Sequence, residues 1–141
     1  MSARRKAREL TLKALYAYDI SGTDPEQISN DIISPSLIKP EAKKFSESLF
    51  FKVIQNMKEV DNLIKGHAKS WDFSRIASIE KNILRMGICE FLFFDDIPST
   101  ISIDEAIELA KKYADKDSKK FVNAVLDSVL KGLEKEGRMR K

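Results

Sequence analysis

The residues whose types could do chemistry are concentrated in one short segment, residues 111–120, with the sequence KKYADKDSKK. It contains five lysines and two aspartates, a net charge of +3, and it joins two helical patterns. A basic elbow between well-specified helices predicts contact with an anionic polymer. The alternative, that this run of charge is only a solvated surface, stays open at this point.

Phe121 directly follows the basic elbow and lies at the rim of the next apolar stripe. At 100° per residue, the apolar residues of that helix centre about 110° away from Phe121. Single-stranded RNA is recognised by stacking unpaired bases on such aromatic rings, at about 1–3 kcal/mol per base. The other interpretation is that Phe121 folds under the preceding loop as a hydrophobic staple.

The beginning of the chain carries a second set of candidate binding residues. On a helical wheel, Arg4, Arg5 and Arg8 lie to one side of the apolar stripe of the first helix, and Lys6 and Lys13 lie to the other. Guanidinium groups can bind phosphates through two hydrogen bonds and stack on bases, which lysine does less well.

The positive charge is confined to three short segments. Residues 1–20, 111–120 and 131–141 each carry a net +3, and the rest of the chain carries −6, so the total is +3. This distribution favours a local nucleic-acid footprint over general adhesion to anions.

Catalysis is poorly supported by the residue types present. A lone histidine, His67, and a lone cysteine, Cys89, cannot build a structural zinc site, which needs four such ligands. The paired aspartates lack calcium-loop spacing, and the five glycines are too scattered for a phosphate-binding loop. The sequence therefore predicts no enzyme, metal site or cofactor.

The elements that must position these residues are predicted to be helices. Apolar periodicity indicates an all-α fold of about seven helices in a compact bundle arrangement, with the segment from Ile79 to Phe94 as a central buried helix. Trp71 is expected to be a core anchor, since it follows a helix end and precedes Phe73 and Ile76. The main predicted helices are 3–19, a short one from 25, 40–65, 79–94, one carrying the 103–114 stripe, and one opening near 117 or 118.

Several predicted helix ends depend on local signals. Capping boxes are expected from Asp24 with Gln27 and from Ser102 with Glu105, and Gly66 is expected to end the long helix before it. Isolated strands are conceivable near residues 100–103, but no alternating run is long enough for a sheet.

Length and composition favour one domain, residues 1–141, in the cytoplasm. No apolar run approaches the roughly 20 residues of a membrane span. The single cysteine excludes an internal disulfide and fits a reducing compartment.

Three segments together closely resemble the bacterial transcription antitermination factor family NusB. They are RRKARELTLKALYAYD at 4–19, IEKNILRMGICEFL at 79–92 and IDEAIELAKKYADKDSKKFVNAVLD at 103–127. The order and spacing of the segments also match, and the resemblance covers nearly the whole length. One departure is Ala124, where the family usually carries glycine.

The resemblance implies two small helical bundles packed roughly across each other. It also implies a partner, ribosomal protein NusE, and a ligand, the single-stranded boxA RNA of nascent rRNA operon transcripts. Together these would recruit an antitermination complex with other Nus factors to RNA polymerase. Carried over position by position, the RNA surface would comprise Arg4, Arg5, Lys6, Arg8, Tyr18, Asp117, Lys119 and Phe121.

The expected NusE surface is the helix that bears Glu80, Leu84 and Arg85, because a buried helix with a charged edge can dock a partner. Asp117 is expected to cap its helix, to accept a hydrogen bond from a base edge, or both. A monomer is favoured over a homodimer. The alternative function is a helical protein–protein adaptor without direct RNA contact.

Overall fold

The chain, represented by a computed structural model, is described over residues 2–139, and that range contains helices and no strands. Within residues 2–139, seven α-helices are joined by loops, one π-helical turn at Ser29–Ile33 and one 3-10 turn at Phe73–Arg75. They fall into two compact units, of which the first ends at Gln55 and the second begins at Asn56. The predicted all-α fold of about seven helices is confirmed. Arg140 and Lys141, which belong to the third basic segment, lie outside the described residues.

The first unit is built from helix α1 (Ala3–Ser21) packed against helix α3 (Pro40–Gln55). Ser2 begins α1 because its side-chain oxygen accepts a hydrogen bond from the Arg5 N–H at 3.1 Å. Gly22 ends it with φ 65°, a left-handed conformation that favours glycine. Between the two helices, the buried Thr11 and Ser46 hydroxyls hydrogen-bond at 2.8 Å. The helices of this unit are α1 (Ala3–Ser21), α2 (Pro25–Ile28) and α3 (Pro40–Gln55).

The second unit is built around one buried helix, α5 (Ser78–Phe93). Every residue from 82 to 92 is buried, and α5 contacts all three other helices of the unit, so the prediction of a central buried helix is confirmed. A Cβ on Gly87 would lie 3.0 Å from the Leu126 side chain, so glycine permits this close approach. The helices are α4 (Met57–His67), α5 (Ser78–Phe93), α6 (Ser99–Tyr113) and α7 (Ser118–Lys135).

The prediction of one long helix from residue 40 to 65 is wrong, because the helix is interrupted at Asn56. Asn56 adopts φ −117° and ψ 17°, and its carbonyl accepts the Val60 N–H at 2.9 Å as the next helix begins. The apolar period continues across the break, and neither glycine nor proline marks it, so the pattern concealed the boundary. Gly66 also does not end a helix, since α4 runs through His67.

Neither predicted capping box forms. Asp24 makes no side-chain capping hydrogen bond. Helix α6 starts at Ser99, with Pro98 at its N-cap position, so Ser102 lies inside the helix. The Ser102 hydroxyl is buried and donates to Glu90 Oε1 at 2.8 Å instead. The possible strand near residues 100–103 is therefore helix.

Gly132 on α7 leaves space for the His67 ring of α4. An added Cβ would lie 2.8 Å from His67 Cε1, and His67 Nδ1 shares a 2.9 Å hydrogen bond with Ser128 Oγ. We expect Gly132→Ala to lose the usual helix-propensity gain of about 0.8–1.0 kcal/mol, because the ring must move. In a His67→Ala background the gain should return, as measured by urea unfolding of the four proteins of the cycle. Equal effects in both backgrounds would show that this contact carries no energy.

No helix in the range 2–139 has the length and apolar character that a membrane crossing requires. Within the same range, His, Cys, Asp and Glu side chains form no group of three that could hold a metal ion.

Candidate nucleic-acid interface

Trp71 and Phe121 form an aromatic pair on the second unit. Their ring centroids lie 4.9 Å apart at an interplanar angle of 61°, an edge-on contact. Phe121 is half-buried, whereas 59% of the Trp71 surface is exposed. The prediction that Trp71 anchors the core is wrong, because most of its side chain is exposed, whereas Ala68 and Ile76 in the same loop region are buried.

The loop after α4 holds Trp71 through backbone and side-chain hydrogen bonds. The Trp71 N–H donates to the Ala68 carbonyl at 3.0 Å. Asp72 then starts the 3-10 turn, because its Oδ1 accepts from the Ser74 N–H at 3.1 Å and the Ser74 hydroxyl at 2.8 Å. Ile76 is buried and fixes the far end of the loop. The exposed indole is thus carried by a locally ordered loop.

The first turn of α7 holds Phe121. The Ser118 hydroxyl donates to Glu80 Oε2 at 2.6 Å, which ties the start of α7 to the start of α5. Val122 is fully buried, so the next residue in the chain fixes the rotation of the helix. Phe121 therefore lies at the rim of the apolar stripe, as the helical wheel predicted.

Two grooves flank the aromatic pair, and both are bordered by Trp71, Asp117 and Phe121. The larger has a volume of about 450 Å³ and the smaller about 260 Å³. The larger groove carries two cations, Lys69 and Lys120. The charged residues that line the smaller groove besides Asp117 are Arg75, Glu80 and Asp115.

Sequence reasoning missed both Trp71 and Lys69 as members of this site. The contact between Trp71 and Phe121 joins residues 50 positions apart, and no local periodicity reports it. The one available signal was the polar sequence HAKSWDFS, which surrounds the only tryptophan with residues typical of a surface loop.

Asp117 occupies the N-cap position of α7 but does not cap it through its side chain. Its backbone is helical, φ −90° and ψ −8°, and its carboxylate makes no capping hydrogen bond. An N-cap side chain normally reaches back from an extended backbone. The capping alternative is therefore wrong, and the exposed Asp117 is one of the residues that line both grooves.

The basic residues of α1, in the first unit, differ in their accessibility. Arg4 and Lys6 are exposed and Arg5 is half-buried, but Arg8 is only 4% exposed. The guanidinium carbons of Arg4 and Arg8 lie 4.5 and 5.3 Å from the centroid of the Phe45 ring. Arg8 is thus packed into this unit, which contradicts its prediction as a surface contact.

The two remaining candidates for RNA contact lie in different units. Tyr18 is half-buried on α1, and Lys119 is exposed in the first turn of α7. Within residues 2–139, Lys69, Lys119 and Lys120 make no ion pair. These three ammonium groups are therefore available to an anionic ligand.

The predicted partner surface on α5 is largely internal. Leu84 has no exposed surface, and Arg85 is 5% exposed. Arg85 Nε and Nη2 donate to the two carboxylate oxygens of Asp61 at 2.7 and 2.9 Å. These burials contradict a docking role for Leu84 and Arg85, because a buried side chain offers no surface. Glu80 alone is partly accessible, and it binds Ser118.

An all-helical fold that carries an aromatic pair with an exposed indole beside available lysines has the features of a single-stranded nucleic-acid binder. Comparison with known proteins identifies the family. Residues 5–131 match the NusB family, and the chain belongs to that family. Family membership also confirms the prediction that the protein is not an enzyme.

Relatives and solved structures agree with this assignment. The chain is 41% identical to the transcription antitermination protein NusB of Salinibacter ruber, covering 100% of this chain and 89% of that protein. It is 38% identical to NusB of Chloroherpeton thalassium, covering 99% of this chain but 66% of that longer protein.

Among solved structures, NusB of T. maritima superposes with a TM-score of 0.85 at 34% identity, covering 93% of this chain and 92% of that one. A NusB chain solved with NusE and double-stranded RNA superposes at 0.84, with 28% identity and coverage of 94% and 98%.

Proposed function

We propose that this protein binds boxA-type single-stranded RNA in nascent transcripts together with a NusE-type protein. The bound pair would then help to recruit an antitermination complex to RNA polymerase in the bacterial cytoplasm, with the protein itself a monomer. The observation that carries the proposal is the pair formed by the exposed Trp71 and the half-buried Phe121, beside available lysines. A related NusB was solved with NusE and double-stranded RNA, which supports RNA and a NusE-type protein as the classes of partner.

The proposed contacts divide by chemistry. Arg4, Arg5 and Lys6 on α1 and Lys119 on α7 would neutralise phosphates, and Phe121 would stack on an unpaired base. Tyr18 would add a contact on α1. Asp117 would accept a hydrogen bond from a base edge and weaken non-specific binding, because its charge repels phosphate.

Electrostatic attraction predicts a strong salt dependence. About four phosphate contacts should give a slope near −3 in a plot of log K against log salt for single-stranded RNA. The slope is measured by anisotropy of labelled RNA across a salt series. The double variant Arg4→Gln/Arg5→Gln loses two of these contacts and should make the slope less steep by about 1.4. An affinity of the unmodified protein that does not depend on salt would eliminate the proposal.

The rival function, a protein-only adaptor, predicts a different result in the same experiment. An adaptor would bind the NusE-type protein but neither single-stranded nor double-stranded RNA at any salt concentration. Its basic segments would serve only to keep it soluble, and Arg4→Gln/Arg5→Gln would change nothing that the titration measures.

A further inference from the structure

We propose that Trp71, together with Phe121, forms a nucleobase-binding site, and that the RNA strand lies along the larger of the two grooves. This inference rests on the proposed function and extends it to a residue that the family resemblance did not supply. The occupant is an unpaired base of single-stranded RNA, with its flanking phosphates beside Lys69 and Lys120.

Trp71 has the properties of a stacking platform. The indole is 59% exposed, and its contact with Phe121 is edge-on. Phe121 is therefore not stacked in parallel on the indole. A base can therefore stack on an open aromatic face, the interaction that single-strand binders use most.

Two other aromatic rings near basic residues are already covered by cations of the protein. Lys65 and Lys81 lie 4.9 and 4.4 Å from the centroid of the Phe73 ring. In the first unit, Phe45 is packed beneath arginine and is 6% exposed. Trp71 differs because no such cation contact covers its exposed face among the described residues.

Charge decides which groove the strand follows. The larger groove has two lysines against one carboxylate, that of Asp117. The smaller groove has one arginine against three carboxylates, those of Glu80, Asp115 and Asp117. Phosphates therefore favour the larger groove, because like charges in the smaller one repel them.

Size supports the same choice. The larger groove, at about 450 Å³, falls within the range of roughly 300–1,000 Å³ typical of ligand sites, whereas the smaller, at about 260 Å³, falls below it. Ala124 lines the larger groove and is exposed, so the one noted departure from the family pattern lies at this surface and not in the core.

The only tryptophan of the chain makes the test direct. We expect a boxA-type oligoribonucleotide to quench Trp71 fluorescence as it binds, with the same midpoint as the anisotropy of labelled RNA. Trp71→Ala should weaken RNA binding by about 5- to 150-fold, the equivalent of one stacked base. Trp71→Phe keeps a ring and should retain most of the affinity.

Two charge reversals test the path of the strand. Lys69→Glu, in the larger groove, should weaken binding clearly more than the matched Arg75→Glu, in the smaller groove. Circular dichroism of Trp71→Ala should match that of the unmodified protein, because the truncated side chain is mostly exposed.

The outcomes separate this inference from the proposed function. If RNA binds but neither quenches Trp71 nor responds to Trp71→Ala, the inference is overturned and RNA binding stands. Quenching by the NusE-type protein but not by RNA would overturn it in favour of protein docking. A larger loss for Arg75→Glu would overturn the assigned groove. Absence of RNA binding by every variant, including the unmodified protein, would remove the proposed function itself.

Discussion

Phe121→Ala is expected to weaken the binding of boxA-type RNA by about 1–3 kcal/mol, the cost of losing one base stack. The ring lies at the rim of α7 and contacts Trp71, while the neighbouring Val122 and Val125 fill the core. Helix content should therefore stay near that of the unmodified protein. Affinity is measured by RNA anisotropy and helix content by circular dichroism.

The matched control for this change is Phe121→Tyr, which keeps an aromatic face and should bind RNA almost normally. If Phe121→Ala unfolds the protein, the staple interpretation of this residue is right and the stacking interpretation loses its support. A folded Phe121→Ala protein with full RNA affinity would also contradict the stacking role.

The largest expected effect on stability comes from Asp61→Ala. The Arg85 and Asp61 side chains are only 7% and 17% exposed, and their charged groups are joined by two hydrogen bonds. Removal of Asp61 breaks this buried ion pair, which typically costs about 3–5 kcal/mol. The free energy of unfolding in urea should fall by this amount.

A second variant distinguishes a structural Arg85 from one that serves a partner. The double change Asp61→Leu/Arg85→Met removes both charges and should recover most of the lost stability, since an apolar pair can replace a buried ion pair. If Asp61→Ala leaves stability unchanged but abolishes binding of a NusE-type protein, the earlier prediction of Arg85 as a docking residue is restored.

The sequence predicts the fold well where a helix is long and strongly periodic. The stripe of α7 is buried at Val122, Val125, Leu126, Val129 and Leu133, as the spacing requires. Helix α5 was identified as central because apolar residues cover most of its faces. In these helices the order of apolar residues along the chain determines which side is buried, so the pattern is sufficient to predict the buried face.

The sequence fails where tertiary contacts or weak local signals decide. The break at Asn56 has no glycine or proline to mark it, and the apolar period passes through it unchanged. Ser102 has the spacing of a cap but lies inside α6, because the helix already begins at Ser99, directly after Pro98. Neighbouring residues can each favour a helix start, and only the folded structure shows which of them begins the helix.

The site shows the same division. Phe121 was placed at the rim of its helix from the wheel alone, and the structure agrees. Arg8 was assigned to the RNA surface from the family resemblance. Arg85 was assigned to a docking surface because a buried helix with a charged edge can dock a partner. Each is buried, Arg8 over Phe45 and Arg85 against Asp61. Such pairings join residues far apart in the chain and leave no periodic trace.

The most direct test of the central claim is a titration of boxA-type RNA against a scrambled sequence of the same composition, with and without a NusE-type protein. Labelled RNA at fixed salt reports both affinities by anisotropy. The account predicts that boxA-type RNA binds more tightly than the scrambled sequence and that the NusE-type protein widens the difference. Equal affinity for the two sequences, or no RNA binding even with the partner present, would contradict it.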